Sequence, residues 1–414
     1  MELLRYMAGN ILKRPLRALF VVAAGFLSSL VLVFSFGLGS RVTTHIREDT
    51  IAKWTGHLWI STKTDFQFTE ADIGRYEQEA HVIREYLDAH ANTEILVPWI
   101  QTGCEIQAGT AREYVRVTAT DFQKDAPFRA HTELVEGRFP GPNDEYTVLV
   151  TTSIAQKYRL KVGDSIVIFI PSAYGARNAM DFTIAGLFRA SAPWYEDGIT
   201  VRVQDYITMS ELGDSFPFYK AYVKDERGIP AMVKELSTRM SVFQVKGYRD
   251  DKFVQFLLSL GTTDILFFGF MAMIIFLALL IGIRSVVLTN IFDRRDEIGT
   301  LRALGFPKGT VRNLFFGESV AGLLVGYLLG AGTVAAMGAV FDARIVRPPL
   351  LMLQYMFGMT RMALTLDTFT LAAPFVLLFL LLFATTFRTV GRETEKQAVE
   401  QMATDRTEFS LEDT

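Results

Sequence analysis

The sequence predicts a membrane α-helical fold with four transmembrane helices and a large α/β extracytoplasmic domain inserted between helices 1 and 2. Two observations favour this class. Half of the 414 residues are hydrophobic and the mean hydropathy is positive, yet 21% of the residues are charged. That mixture is expected when apolar spans alternate with a water-facing domain. In addition, basic residues cluster in segments that a four-span topology places in the cytoplasm.

Each predicted span contains a run of roughly 20 apolar residues, which is the length that crosses a bilayer. The runs are Ala18–Leu38, Ile265–Ile283, Ser319–Phe341 and Phe369–Phe387. With their flanks, we assign the spans to residues 18–39, 264–288, 314–341 and 369–388. The first run exceeds the core of a signal peptide and no A-x-A cleavage site follows it, so we interpret it as an uncleaved anchor.

The orientation follows from lysine and arginine, which are in excess in short cytoplasmic segments. Residues 1–17, 289–313 and 389–414 are predicted to be cytoplasmic; their basic residues include Arg5, Lys13, Arg14, Arg17, Arg294, Arg295, Arg302, Lys308, Arg312 and Arg392, with Arg388 at the boundary of span 4. Residues 342–368 are predicted to be an external loop. This loop holds Arg344, Arg347 and Arg361, which weaken the bias without reversing it.

Two terminal segments have their own patterns. Apolar residues at helical spacing in 1–17 favour a helix lying in the cytoplasmic interface, although an extension of the first span is an alternative. The acidic, polar composition of 389–414 predicts a disordered cytoplasmic tail.

Residues 40–263 are predicted to form the external α/β domain. After a possible capping box at Thr69 and Asp72, apolar residues recur every three or four positions up to Leu87, which indicates an amphipathic helix. A second helix is predicted at 229–240, and residues 250–260 are expected to extend span 2 outward. Strands are predicted at Glu94–Ile100, Tyr114–Ala119, Thr147–Val150, Ser165–Ile170, Phe182–Leu187 and Ile199–Val203.

The sequence contains little that indicates chemistry. The five histidines (His45, His57, His81, His90 and His131) follow no metal-ligand pattern, and neither a G-x-S-x-G elbow nor a P-loop occurs. The net charge of −3 argues against a nucleic-acid partner. The single cysteine, Cys104, is expected to be a buried apolar residue. We therefore predict a non-catalytic chain that binds no metal or cofactor.

Aromatic residues of the external domain have two possible roles. Trp194, Tyr195 and Phe216 are candidates for exposed contacts to an apolar cargo. The alternative is that they stabilise the core of the domain, which is the commoner use of such residues.

The most specific segment lies between spans 2 and 3. Ile298, Leu301 and Leu304 share one face of a predicted short helix whose other residues are mostly charged. Gly305 is suited to cap that helix and Pro307 to end it. This pattern fits a helix that receives force from a docked partner, and it fits equally a solvated loop with ordinary cytoplasmic charges.

Residues 294–305, RRDEIGTLRALG, resemble the R-R-x-E-I-G-x-L-R-A-L-G signature of FtsX-like ABC transporter permeases, the membrane subunits of lipoprotein-release and macrolide-exporter type transporters. Residues 56–60, GHLWI, are similar to the start of the external domain in the lipoprotein-release branch. Weaker matches are residues 10–17, 136–139, 160–164, 182–188 and the run from Glu318. The tail departs from the family, because it lacks the usual Pro-x-Glu-Ala-Leu-Arg run, and this leaves its part in docking an ATPase open.

The resemblance implies that two permease subunits, the same or related chains, pair with a cytoplasmic ABC ATPase dimer that holds ATP and Mg²⁺. Movement would pass through the loop to the external domain. The residues implied in ATPase coupling are Arg294, Arg295, Glu297, Ile298, Leu301, Arg302, Leu304 and Gly305. Small residues in span 3 (Gly322, Gly326 and Gly330) allow close helix packing, either between subunits or within one.

Four functions remain open. The first is release of lipoproteins from the outer leaflet of a bacterial inner membrane. The second is export of drugs or peptides in the macrolide-exporter manner, and the third is mechanical activation of an external enzyme or sensor. The fourth is a stand-alone membrane receptor that needs no ATPase.

Overall fold

The computed structural model describes residues 15–63, 70–172, 174–213, 218–293, 300, 304–344 and 346–384. The chain divides into two compact units. The helical unit comprises Met1–Arg41, Thr262–Val346 and Met362–Thr414, and the α/β unit comprises Val42–Gly261 and Arg347–Arg361. The predicted interfacial helix, apart from its last three residues, and the predicted tail lie outside the described residues.

The helices are α1 Pro15–Thr50, α2 Glu70–Ala89, α3 Ala126–Ala130, α4 Thr152–Tyr158, α5 Val203–Ser210, α6 Ile229–Arg239, α7 Lys252–Asp293, α8 Lys308–Ala343, α9 Leu351–Phe357 and α10 Thr368–Leu382. A π-helical turn, Ile51–Thr55, follows α1. Within the described residues, Leu19–Thr55 and Ser319–Ala343 are long and apolar enough to cross a membrane, and Thr368–Leu380 is a shorter apolar helix. Predicted span 2 lies in α7. The count of four spans stays a prediction.

The helical unit packs α1, α8 and α10 around a shared apolar core. Its buried members are Leu32, Val33, Leu323, Tyr327, Ala331, Val334 and Leu378. Asp367 caps α10, because its Oδ1 accepts from the backbone N–H of Thr370 at 2.8 Å. The Tyr327 hydroxyl donates to the carbonyl of Leu371 in the first turn of α10, ahead of Pro374.

The α/β unit is built on a ten-stranded sheet in the described residues. The strands are β1 Leu58–Thr62, β2 Thr93–Ala108, β3 Ala111–Thr120, β4 Glu133–Gly137, β5 Thr147–Thr151, β6 Ser165–Pro171, β7 Arg177–Arg189, β8 Gly198–Arg202, β9 Tyr219–Val223 and β10 Phe243–Gly247. The order is β10-β1-β9-β2-β3-β8-β5-β7-β4, and β6 pairs with β2 and β7. The long strand β2 joins the two halves, since its first part pairs with β9 and its last part with β6.

Each half of the sheet has its own core. Helices α2 and α6 cover β1, β9 and β10, and the predicted apolar positions Tyr76, Ala80, Ile83 and Leu87 of α2 are buried there. The second core includes β3, β5 to β8, α4 and α5. It contains Cys104, and burial raises the pKa of that thiol to about 12. The structural expectation for Cys104 is therefore confirmed.

The six predicted strands lie within β2, β3, β5, β6, β7 and β8, although the last prediction ran one residue too far, into α5. Helix α6 and the start of α7 also match their predictions, with bounds shifted by one or two residues. Strands β1, β4, β9 and β10 were not predicted.

Residues 347–361, between predicted spans 3 and 4, belong to the α/β unit. Thr360 donates its backbone N–H to the Ser191 carbonyl at 3.2 Å and its hydroxyl to the Ala190 carbonyl at 2.8 Å. Arg361 pairs with Glu133 at 3.0 Å. At least one of the arginines that weaken the charge bias therefore has a structural partner in this unit.

Candidate functional site

The predicted coupling loop, residues 289–313, is described only in part. Arg294, Arg295, Glu297, Ile298, Leu301 and Arg302 lie outside the described residues. The backbone N–H of Leu304 donates to the Thr300 carbonyl at 3.0 Å, which is the spacing of an α-helical turn. Gly305 has φ +87°, a left-handed conformation suited to a helix cap, and α8 begins three residues later. These features fit the predicted order of helix, cap and span.

Leu304 is the described apolar member of the predicted contact face. It is 71% exposed. A single exposed leucine is ordinary on a protein surface. Its position next to a helix cap at the end of the loop makes it available to a partner without any rearrangement of α8.

The glycines of α8 lie against α1. A Cβ at Gly326 would fall 2.8 Å from the backbone nitrogen of Phe26, and one at Gly330 would fall 2.6 Å from the Phe26 carbonyl oxygen. Gly322 faces Val21 in the same way, with 2.9 Å to a side-chain methyl. Gly25 of α1 is equally close to Leu323. These three glycines of α8, the glycine stripe, therefore let α1 and α8 of one chain pack with their backbones close together.

A buried polar cluster joins the end of α1 to the sheet of the α/β unit. Lys220, in the middle of β9, and Asp125, at the start of α3, are both fully buried and pair at 2.6 Å. The Lys220 ammonium also donates to the carbonyl of Ala52 at 2.7 Å, and the Tyr222 hydroxyl donates to Asp125 at 2.9 Å. Thr120 donates to the other oxygen of Asp125 at 2.7 Å.

The π-helical turn explains why Ala52 accepts these bonds. Irregular helical hydrogen bonding at the end of α1 leaves carbonyls available to outside donors. One turn earlier, Asp49 pairs with Lys53 at 2.8 Å and accepts from the Ser191 hydroxyl at 2.8 Å. The last turns of α1 are thus held at two successive positions by buried, charge-assisted bonds.

The electrostatics of this cluster indicate a structural role. Burial lowers the pKa of Lys220, although the Asp125 carboxylate opposes the shift. Burial, and secondarily Asp125, raises the pKa of Tyr222. Because Lys220 and Asp125 are inaccessible to solvent and satisfied by each other, the cluster offers neither a nucleophile nor a proton to a substrate. The sequence patterns did not predict this cluster. The feature that could have indicated it is the lysine in the middle of the apolar run FYKAYV, residues 218–223.

The other sequence candidates have mixed outcomes. Tyr195 is buried and its ring packs against Trp54 and Trp194, which matches the core role expected as the commoner alternative and excludes an exposed contact. Trp194 is half-buried, and Phe216 lies outside the described residues. In the part of the chain that the structure describes, no group of three histidine, cysteine or acidic side chains is arranged to hold a metal ion.

The family comparison identifies the C-terminal part of the chain. The profile described as FtsX-like permease C-terminal matches residues 268–392, a range that includes the coupling loop and the glycine stripe. This part of the chain belongs to the FtsX-like permeases. A relative of this permease, an uncharacterized ABC transporter permease of Methanocaldococcus jannaschii, is 20% identical over 79% of this chain and 83% of its own length.

Solved structures resemble the permease more distantly. The periplasmic region of MacB from Actinobacillus actinomycetemcomitans is 10% identical, with a TM-score of 0.33, over 49% of this chain and 93% of that one. The extracellular domain of the noncanonic ABC-type transporter YknZ from Gram-positive bacteria is 10% identical, with a TM-score of 0.31, over 46% and 99%. At these TM-scores the overlap does not establish a shared fold.

Proposed function

We propose that this permease couples ATP hydrolysis on a partner ATPase to movement of its α/β unit, and thereby releases lipoproteins from the outer leaflet of a bacterial inner membrane. The observation that carries the proposal is the family match over residues 268–392, which contains the signature loop. Two copies of the permease, or this chain and a related one, would sit above an ATPase dimer that holds ATP and Mg²⁺.

Two long helices support the mechanical part of the proposal. Helix α7 runs without a break from Lys252 to Asp293, which lies within the predicted coupling loop. Helix α1 ends at the buried cluster around Lys220 and Asp125. Continuous helices fixed by buried bonds transmit displacement better than flexible linkers, because a rigid element moves as a whole.

The location of residues 347–361 supports the topology. A segment that packs into the α/β unit lies on the same side of a membrane as that unit. An even number of crossings must then separate residues 261 and 347, which agrees with predicted spans 2 and 3. The prediction that residues 289–313 are cytoplasmic is consistent with this arrangement.

The experiment is a charge and polarity reversal in the loop. Glu297→Lys or Leu301→Asp is expected to abolish lipoprotein release and stimulation of the ATPase while leaving the permease folded, because these residues are assigned to the contact. Glu77→Lys, the same charge reversal at an exposed position of α2, is the matched control and should keep both activities. The measurement is ATPase rate and release from proteoliposomes. Normal rates in both loop variants would contradict the assignment.

The same assay separates the alternatives. ATP-dependent release of a lipoprotein to a soluble acceptor supports the proposal. Transport of a drug or peptide in place of a lipoprotein would indicate an exporter. ATP-dependent activation of a co-purified cell-wall hydrolase, without transport, would indicate a mechanical signal. Failure to capture any ATPase with the intact permease would favour a receptor.

A further inference from the structure

An open cleft of about 540 Å³ lies on the α/β unit, and aromatic side chains form much of its wall. Trp54 comes from the π-helical turn, Trp194 from the short helix before β8, and Tyr355 from α9. Tyr114 of β3 lines the cleft as well and is 73% exposed. These rings come from four segments that are distant in sequence, which is typical of a ligand cleft.

Arg116 lines the cleft among these rings. Its guanidinium lies 5.8 Å from the ring centres of Trp54 and Tyr195, and it donates to the carbonyl of Trp194. Among the described residues, no carboxylate lies within salt-bridge distance of it. Arg116 is half-buried, and burial lowers its pKa. A partly desolvated guanidinium is suited to bind an anion, although the charge of Asp197 also acts on it.

Further apolar side chains are exposed on segments that carry or contact these rings. On α9, Leu351 and Met352 are 60% and 71% exposed, close in sequence to Tyr355. The ring of Trp54 lies 4.9 Å from that of Phe253, which is followed in α7 by the exposed Phe256. Exposed apolar surface beside a charged centre matches a ligand that is charged at one end and apolar at the other.

We infer that this cleft binds an acidic amphiphile, whose carboxylate or phosphate pairs with Arg116 and whose acyl or aromatic part lies on the rings of Trp54, Trp194 and Tyr355. The inference deepens the proposed function, because it assigns a contact site and a chemical class to the cargo. Asp197 is the one acid that lines the described cleft; it is exposed and opposes an anionic ligand.

Binding can be measured on the full-length permease without any ATPase. The permease is placed in nanodiscs of phosphatidylcholine and titrated with dibromostearate, whose bromines quench tryptophan fluorescence. Two of the four tryptophans line the cleft. The methyl ester of dibromostearate tests the need for the negative charge, and inorganic phosphate, added as a competitor of dibromostearate, tests the need for the apolar part. Nanodiscs that contain brominated phosphatidic acid test a membrane lipid as the source.

Four variants make the test specific. Arg116→Gln should weaken dibromostearate binding about tenfold or more, the usual effect of losing a charge-assisted bond. Arg112→Gln is the matched control on the same strand and should not change binding. Tyr355→Ala, on a separate element, should weaken binding severalfold. Asp197→Asn should strengthen it, because the opposing charge is removed. Thermal unfolding of each variant checks the fold.

The outcomes separate two questions. Equal binding of the ester, or unchanged binding in folded Arg116→Gln and Tyr355→Ala, would overturn the inference. If binding fails while the permease still stimulates its ATPase and releases a lipoprotein, the proposed function stands and the cleft assignment falls. If binding follows the expected pattern while no ATPase couples to the permease, the cleft stands and the proposed function falls.

Discussion

At the scale of single residues, Lys220 shows how a charged side chain can occupy the centre of an apolar strand. Its ammonium has no contact with solvent, and it is satisfied by Asp125 and by the carbonyl of Ala52. Three aromatic rings, those of Trp99, Phe128 and Tyr222, lie within 5.6 Å of it. Removing an ion from water is costly unless its partners are in place, so the pair stabilises one arrangement of α1 against the sheet.

Lys220→Met is expected to destabilise the α/β unit by about 3–5 kcal/mol, because it leaves the Asp125 carboxylate buried without its counter-ion. The free energy of unfolding of the full chain in detergent, measured with urea, checks this value. The double variant Lys220→Met with Asp125→Asn should recover part of the loss.

The control for this prediction is Arg239→Ala. Arg239 pairs with Glu235 at 2.7 Å, but both side chains are about half exposed. Its loss should cost less than about 1 kcal/mol, as for other exposed pairs. A Lys220→Met variant as stable as Arg239→Ala would show that the buried pair contributes nothing to the stability of the α/β unit.

At the scale of elements, the contact between α1 and α8 depends on the absence of side chains. Gly25 and Gly326 bring the two backbones together, so both helices must be in this register for either glycine to be useful. The Ser29 hydroxyl donates to the carbonyl of Phe26 at 3.0 Å and lies 3.5 Å from that of Gly326.

Gly326→Ala is expected to lower the thermal unfolding midpoint of the permease, because the new Cβ meets backbone atoms of α1 that cannot move aside alone. The cost should be about 1–3 kcal/mol, typical of overpacking. Gly332→Ala, six residues later on the same helix, has open space for its Cβ and should leave the midpoint unchanged or slightly raised. Equal midpoints for the two variants would argue against the close packing.

The elements also show what the sequence could and could not predict. Helix α2 was predictable because its buried face repeats every three or four residues. Strand β9 was not, since Lys220 interrupts its apolar pattern and is explained by Asp125, about 95 residues away. The cleft was equally hidden, because Trp54, Arg116 and Tyr355 come together only in the fold. The signature at residues 294–305 differs from the cleft, because it is a local sequence pattern. Its function was inferred from resemblance to a family.

At the scale of the whole molecule, sidedness can be tested at two exposed positions. Leu304 and Met352 are each 71% exposed, in the coupling loop and on α9 respectively. The native Cys104 is buried and its pKa is raised to about 12, so it gives little background reaction with a thiol reagent.

Leu304→Cys and Met352→Cys are expected to react with a membrane-impermeant maleimide from opposite sides. In right-side-out vesicles, Met352→Cys should be labelled at once and Leu304→Cys only after lysis, because one predicted span, span 2 or span 3, separates the loop from each part of the α/β unit. Gel-shift labelling provides the measurement. Labelling of both positions in intact vesicles would contradict the topology.

The short segment around Gly358 has a practical consequence for anyone who wishes to study the α/β unit in isolation. Gly358 adopts φ +59°, and a Cβ there would fall 2.7 Å from the ring of Trp194 and 2.9 Å from the side chain of Ile46. A secreted fragment covering residues 42–261 would lack the segment around Gly358 and would expose the side chains of Trp194 and Ile46. To reproduce the native surface, a soluble version would need residues 42–261 and 347–361 in one polypeptide, joined by a linker that replaces residues 262–346.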